Sequence, residues 1–267
     1  MFTSTRERLA PLLDRYGPRR APRGTRRTWL DILVVVWLAW VYDAINNLPS
    51  VRQAAAYRHG RLLYSIEHTL HLDPEHAINH WLAAHWTLAH VVVWYYNNVH
   101  GLMTFGMIGV LWWLRPQLLR ELRPALIMLN LVAMAVFWAY PTASPRMLVS
   151  HGYVDLTAAV AHLPVWTAGA TARYANQLQS FPSLHIAWAV WVSIAAWRLT
   201  RRRWLRAAAV IYPFITTFAV MATANHFLLD AIGGALLTFA CVPPADRLMR
   251  AVRAWSARRV ALGPAPG

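Results

Sequence analysis

The chain contains no lysine: its twenty-six basic residues are all arginine, so any cationic site must be filled by arginine or histidine. Acidic residues are also scarce, eleven in 267, which leaves few carboxylates for a metal site. The one cysteine, Cys241, excludes an internal disulfide and says nothing about redox compartment. What is abundant is apolar surface. The composition is 57% hydrophobic with fifteen Trp, in several runs of about 18 residues or more, the length that crosses a hydrocarbon core.

These runs predict an integral membrane protein that is all-α and polytopic. Six spans are expected, near Trp29 to Leu48, Val99 to Leu114, Ala125 to Pro141, Leu184 to Leu199, Trp204 to Thr223 and Phe227 to Val242. Twenty-one of the arginines fall in the N-terminal tail, near 115–123, at 198–206 and after Pro244. The positive-inside rule then places both termini and those two loops in the cytoplasm, and 49–98, 142–183 and 224–226 on the outer face of the plasma membrane. A net charge of +15 distributed in this way reflects membrane topology and not nucleic-acid binding.

The run from His80 to Asn98 is apolar enough to pass for a further span, but counting it separately inverts every later loop. It is expected as an outward-facing interfacial helical segment or as the start of one long tilted helix, its Trp and Tyr at headgroup level. The N-terminal basic tail (1–28) is expected to precede an uncleaved anchor, since Asp31 and Asp43 bracket the run and no small-x-small cleavage site is evident. Residues 29–243 form one membrane-embedded catalytic domain, and 244–267 a poorly ordered cytoplasmic tail.

Polar chemistry is concentrated in three short blocks. In Asn225-His226-Phe227-Leu228-Leu229-Asp230 the carboxylate lies four residues after the histidine, on the same helical face. Such a carboxylate fixes the tautomer and orientation of the ring and leaves the other nitrogen free to act as base, nucleophile or ligand. A charged pair at a membrane segment is costly, which favours a functional reading over a packing contact. In Ser180-Phe181-Pro182-Ser183-Leu184-His185, proline suits a helix start whose unpaired amides bind anions, placing Ser183 and His185 over a phosphate. In Tyr140-Pro141-Thr142-Ala143-Ser144-Pro145-Arg146 a stiffened loop carries a guanidinium, a bidentate phosphate partner. All three blocks end on the same expected membrane face.

In this order the blocks resemble the type-2 phosphatidic acid phosphatase superfamily, most closely its inositol phosphorylceramide synthase-like branch, over about residues 95–243. Tyr95-Tyr96 with His100, and Tyr174-Ala175-Asn176, support the likeness. The resemblance implies a six-helix core and a two-step phosphoryl transfer that needs no metal or cofactor. It casts His226 as the nucleophile, Asp230 as its orienter and His185 as the acid for the leaving oxygen, with Arg146 and Ser183 holding the phosphoryl oxygens. His100, Glu67, Tyr96, Arg173 and Asn176 are expected substrate contacts.

Three departures stand out, two of them missing cations that bear on substrate. The superfamily's phosphatases typically carry a lysine in the first block, which this chain cannot supply, and an arginine where it has Val220; Ser144 also replaces a proline common in the synthase-like branch. Fewer cations suit a singly charged phosphodiester better than a monoester carrying about −1.5 to −2. The expected activity is therefore transfer of a phosphoryl-linked headgroup from a lipid phosphodiester to an alcohol acceptor. The competing readings are a lipid phosphate phosphatase using water on phosphatidyl or polyprenyl phosphates, and a haem or metal membrane protein built on the histidines between His59 and His100, where His76 and His80 share a helical face.

Overall fold

The computed structural model describes residues 53–160 and 178–261, so the first predicted span, Arg52, Arg173, Tyr174 and Asn176 lie outside the described residues. The described chain is all-helical, with one isolated bridge between Thr142 and Gln179 in place of any strand. The helices are α1 (Gln53–Thr69), α2 (Pro74–Ala83), α3 (Trp86–Leu114), α4 (Pro116–Ala139), α5 (Leu156–Val160), α6 (Leu184–Leu199), α7 (Arg203–Ala222) and α8 (Leu228–Ala261).

Each predicted span within these residues falls on a helix. Among the described residues three stretches are long and apolar enough to cross a membrane, α4, α7 and Leu228–Val252 of α8. The protein is an integral membrane protein by these helices. Helix α6 is apolar but only 16 residues long, and α3 is diluted by polar residues in its first half, among them His90, Asn97, Asn98 and His100. The run from His80 to Asn98 is divided: His80–Ala83 close α2, and Trp86–Asn98 begin the continuous 29-residue α3. The C-terminal expectation needs correction, because α8 passes through Pro243-Pro244 and continues to Ala261 where a poorly ordered tail was expected. A proline pair removes a few backbone bonds, and the remainder of a long helix absorbs the loss.

Helix α6 is the hub, packing against α3, α4, α7 and α8. It is apolar on all sides, as a helix enclosed by others must be. Trp191 is completely buried, its Nε1 donating to the Leu122 carbonyl of α4 at 3.0 Å. Outward faces are apolar too: Leu102, Phe105, Trp112 and Trp113 on α3, Phe214 on α7, and Leu236 and Phe239 on α8 are exposed. Interior threonines bridge helices, as when Thr238 donates to Ala187 O at 2.9 Å. An apolar exterior around a partly polar interior is the arrangement lipid selects, because hydrocarbon supplies no hydrogen bonds.

Charged and polar side chains are sorted to two ends of the bundle. The α3–α4 and α6–α7 junctions and the far part of α8 carry Arg115, Arg120, Arg123, Arg198, Arg201, Arg202, Arg203, Arg206 and Arg247. The opposite end collects the three polar blocks.

Candidate active site

Backbone hydrogen bonds staple these blocks together. Ser180 N donates to Thr142 O (3.0 Å), Arg146 N to Ala224 O (2.9 Å) and Ser183 N to Asp230 O (2.9 Å). Helix α7 ends at Ala222, and Ala224 takes a left-handed conformation (φ 53°) that turns the chain into the His226 loop. Val220 O then accepts from both Asn225 N and His226 N. Asn225 donates to Thr223 Oγ1 (2.8 Å) and Thr157 Oγ1 (3.0 Å), fixing the turn from two sides.

Within this frame His226 and Asp230 meet as their spacing predicts, the ring Nδ1 standing 3.4 Å from Asp230 Oδ2. Both are buried, Asp230 completely. The same Nδ1 faces the Ser180 carbonyl at 3.0 Å. Two acceptors around Nδ1 make it the protonated nitrogen, so the lone pair resides on Nε2. Asp230 Oδ2 also accepts from Phe227 N (2.9 Å) and from the Ser180 hydroxyl. Its Oδ2 is thus held by several donors, while its Oδ1 is buried without a partner among the described residues.

His226 Nε2 points at His185 Nδ1 across 3.2 Å. With the lone pair on Nε2, His185 Nδ1 is the donor. His185 stacks on Tyr96 (ring centroids 4.7 Å apart) and lies against His100 (4.3 Å), whose own Nδ1 bonds Tyr96 O at 3.0 Å. The first half of α3 thereby forms one wall of the site, and the predicted contacts Tyr96 and His100 both adjoin His185.

Ser183 is the N-cap of α6: it is fully buried and its Oγ accepts from Ile186 N at 3.5 Å. Its hydroxyl is turned into the helix. Arg146 sits on a short 3-10 turn, Pro145–Met147, and its Nη1 bonds both Asp155 oxygens at 3.2 Å. Its Nε is buried without a partner among the described residues. Glu67 does not line the histidine pair. It is completely buried on α1, and its Oε1 accepts from Leu229 N at 2.5 Å.

Sequence reasoning missed several residues that shape the site. Gly233 and Gly234 let α8 press against the serine block: a Cβ on Gly233 would stand 2.7 Å from the Phe181 ring, and one on Gly234 would collide with the Ser183 carbonyl. The consecutive glycines were the available signal. Asn79, fully buried, bonds Val154 N, Val154 O and Ala222 O, joining α2 to the end of α7. Asp155 has no marker beyond its proximity to a named block, and Ser180 opens the serine block without a role assigned to it. Val220 lies in an apolar cluster with Ile186, Val190, Met221 and Ala231 and is completely buried. His76 and His80 lie 4.5 Å apart by ring centroid, His76 against Tyr153, and no group of three metal-ligating side chains converges among the described residues.

Residues 61–243 match the PAP2 superfamily, most of the chain, so the protein belongs to that superfamily. Membership supports an activity of the lipid phosphatase type. No curated protein matches the chain. Among solved structures it is similar to the crystal structure of Aquifex aeolicus LpxE, at 19% identity over 65% of this chain and 94% of that one, with a TM-score of 0.46.

Proposed function

We propose that this PAP2 superfamily member transfers a phosphoryl-linked headgroup from a lipid phosphodiester to an alcohol through a phosphohistidine on His226. The observation that carries this reading is the aligned set Asp230, His226 Nδ1, His226 Nε2 and His185 Nδ1, with contacts of 3.4 and 3.2 Å. The His226 Nε2 lone pair attacks phosphorus and the bond from phosphorus to the leaving lipid oxygen breaks. His185 enters this step as the imidazolium, delivers its Nδ1 proton to that oxygen and is left neutral. Asp230 and the Ser180 carbonyl stabilise the positive charge that develops on the ring. In the second step the acceptor alcohol attacks phosphorus, its proton passes to His185 and the nitrogen–phosphorus bond breaks. The His185–His226 hydrogen bond occupies the attack direction, so a bound phosphoryl group must displace it. Arg146, with its unpartnered Nε, is the phosphate anchor. Ser183 contributes through the start of α6, its hydroxyl being engaged in the cap. Arg173 and Asn176 complete the proposed contacts.

The preference for a diester rests on charge. No lysine exists in the chain, and Val220 is walled in by apolar side chains, so its position contributes no cation. The second reading replaces the alcohol by water and is favoured by the superfamily match itself. On either reading we place the site on the extracytoplasmic face, with the arginine-rich end and both termini in the cytoplasm and six crossings in all. The deciding experiment compares kcat/KM for a phosphatidylinositol-type diester and a phosphatidate or polyprenyl phosphate in one detergent, with chelator present. The diester should win. A monoester advantage of tenfold, about 1.4 kcal/mol, establishes the phosphatase reading instead.

A further inference from the structure

A second group of buried acids lies outside the histidine pair. Glu67 on α1 and Glu75 on α2 are both completely buried, with their carboxyl groups in hydrogen-bonding reach of each other. Glu67 Oε1 accepts from Leu229 N, the residue before Asp230, and Glu75 Oε1 accepts from the Tyr153 hydroxyl at 3.3 Å. The two remaining oxygens, Oε2 of each, are buried with no donor. Two ionised carboxylates would leave both orphaned and place like charges together. One proton between them satisfies both at once.

We propose that Glu67 and Glu75 share a single proton, and that Glu67 thereby acts as a positioning residue, holding through Leu229 the first turn of α8 that carries Asp230. This deepens the proposed function and rests on it for the role of Asp230, whereas proton sharing stands on its own. Helix α1 is well placed to act as such a brace. It also holds the arginine-bearing loop, through Ala143 N to Ala56 O (3.0 Å), His59 Nδ1 to Pro141 O (2.7 Å) and Gly60, where a Cβ would stand 2.7 Å from Ala143 O. One helix therefore touches the carriers of both Arg146 and Asp230.

The surroundings favour retention of the proton. Asp230 of α8 raises Glu67 by its charge, and Asp73, which precedes α2 and is paired with His68 Nδ1 at 2.9 Å, raises Glu75 in the same way. Tyr153 joins from its loop, with Tyr64 of α1 and His76 of α2 packed on its ring and His151 against Tyr64. Burial first, then the Glu75 carboxyl, pushes Glu67 well above the ordinary carboxylate range, and burial raises Glu75 as well. A group raised in the folded state contributes stability that is complete below its unfolded value and lost as pH climbs through the folded one. Removing the shared proton on the alkaline side should therefore loosen the α8 turn.

The test uses the purified full chain in detergent, as wild type, Glu67→Gln, Glu75→Gln and Glu67→Ala. Infrared titration of the wild type should show a protonated carboxylic C=O band at neutral pH that disappears at alkaline pH, and either glutamine substitution should remove it. In turnover, Glu67→Gln keeps an acceptor for Leu229 N and a donor for Glu75; it should hold kcat within about threefold and lack the wild type's alkaline loss, while Glu67→Ala should lose about tenfold or more in kcat with KM little changed. Absence of the wild-type band overturns the shared proton. The same alkaline loss in Glu67→Gln as in wild type, or equal damage from Gln and Ala, overturns the positioning role. If the variants fail to fold, the wild-type band and a melting temperature that falls from neutral to alkaline pH support the shared proton, and a flat profile without the band refutes it. If wild type turns over no lipid phosphate, the proposed function fails while the infrared and thermal readouts still judge the pair.

Discussion

The two ends of the helix bundle use polar residues in opposite ways. At the arginine-rich end the groups are partly exposed and pair across short distances: Arg198 bonds Asp246 at 2.9 and 3.1 Å, linking α6 to α8, and Arg206 lies 4.5 Å over the Trp197 ring while donating to Thr200 O. At the histidine end Asp230, Ser183, Glu67, Glu75 and Asn79 are all completely buried. Water solvates the first set whatever its geometry, so these residues orient the chain and tolerate change. The second set has only the protein to satisfy it, so each member fixes the position of another.

The largest effect expected from breaking this contrast is His226→Ala, which should abolish turnover and any acid-labile phosphoenzyme, read by rapid quench. Asp230→Asn should slow phosphoenzyme formation by about a hundredfold or more; the Ser180 carbonyl still holds the ring, which limits the loss. Normal turnover by His226→Ala refutes its role.

Val220→Arg follows in severity. From sequence this position invites a restored cation, but the apolar cluster around it leaves a guanidinium buried and unpaired. Unfolding of the variant in detergent should show a loss of several kcal/mol, with no gain in monoester hydrolysis. Gly234→Ala comes next, costing about 1–3 kcal/mol by forcing α8 away from the Ser183 carbonyl; kcat should fall with stability, since Asp230 moves with α8. At the other end Asp246→Asn should cost about 1 kcal/mol or less and leave kcat and KM within twofold. A large catalytic loss there would erase the difference between the ends.

Much of the candidate site was legible because its polar residues stand in short, ordered blocks. The separation of His226 and Asp230 by one helical turn sets their contact locally, and Pro182-Ser183 marks the start of α6. The all-helical architecture was legible from long apolar runs. Less so was the role of each polar residue between them. Ser183 was read as a phosphate ligand, and the structure shows in addition that its Oγ accepts from Ile186 N as the cap of α6. Glu67 was read as a substrate contact and is bound to a backbone amide 162 residues away. The tail after Pro244 was read as poorly ordered because it is a chain terminus, whereas α8 continues past the proline pair to Ala261.

The sequence by itself determined the membrane setting, the helical class, the family resemblance and the His226–Asp230 pair, since each depends on composition or on neighbours within one turn. Only the tertiary structure decided that His185 Nδ1 faces His226 Nε2, that Arg146 is braced by Asp155, that Val220 is closed to a cation, and that Glu67 and Glu75 meet beneath Leu229. Those contacts join residues far apart in the chain, and whether a buried carboxylate finds a donor or another carboxylate is settled by how helices pack, which no local pattern encodes.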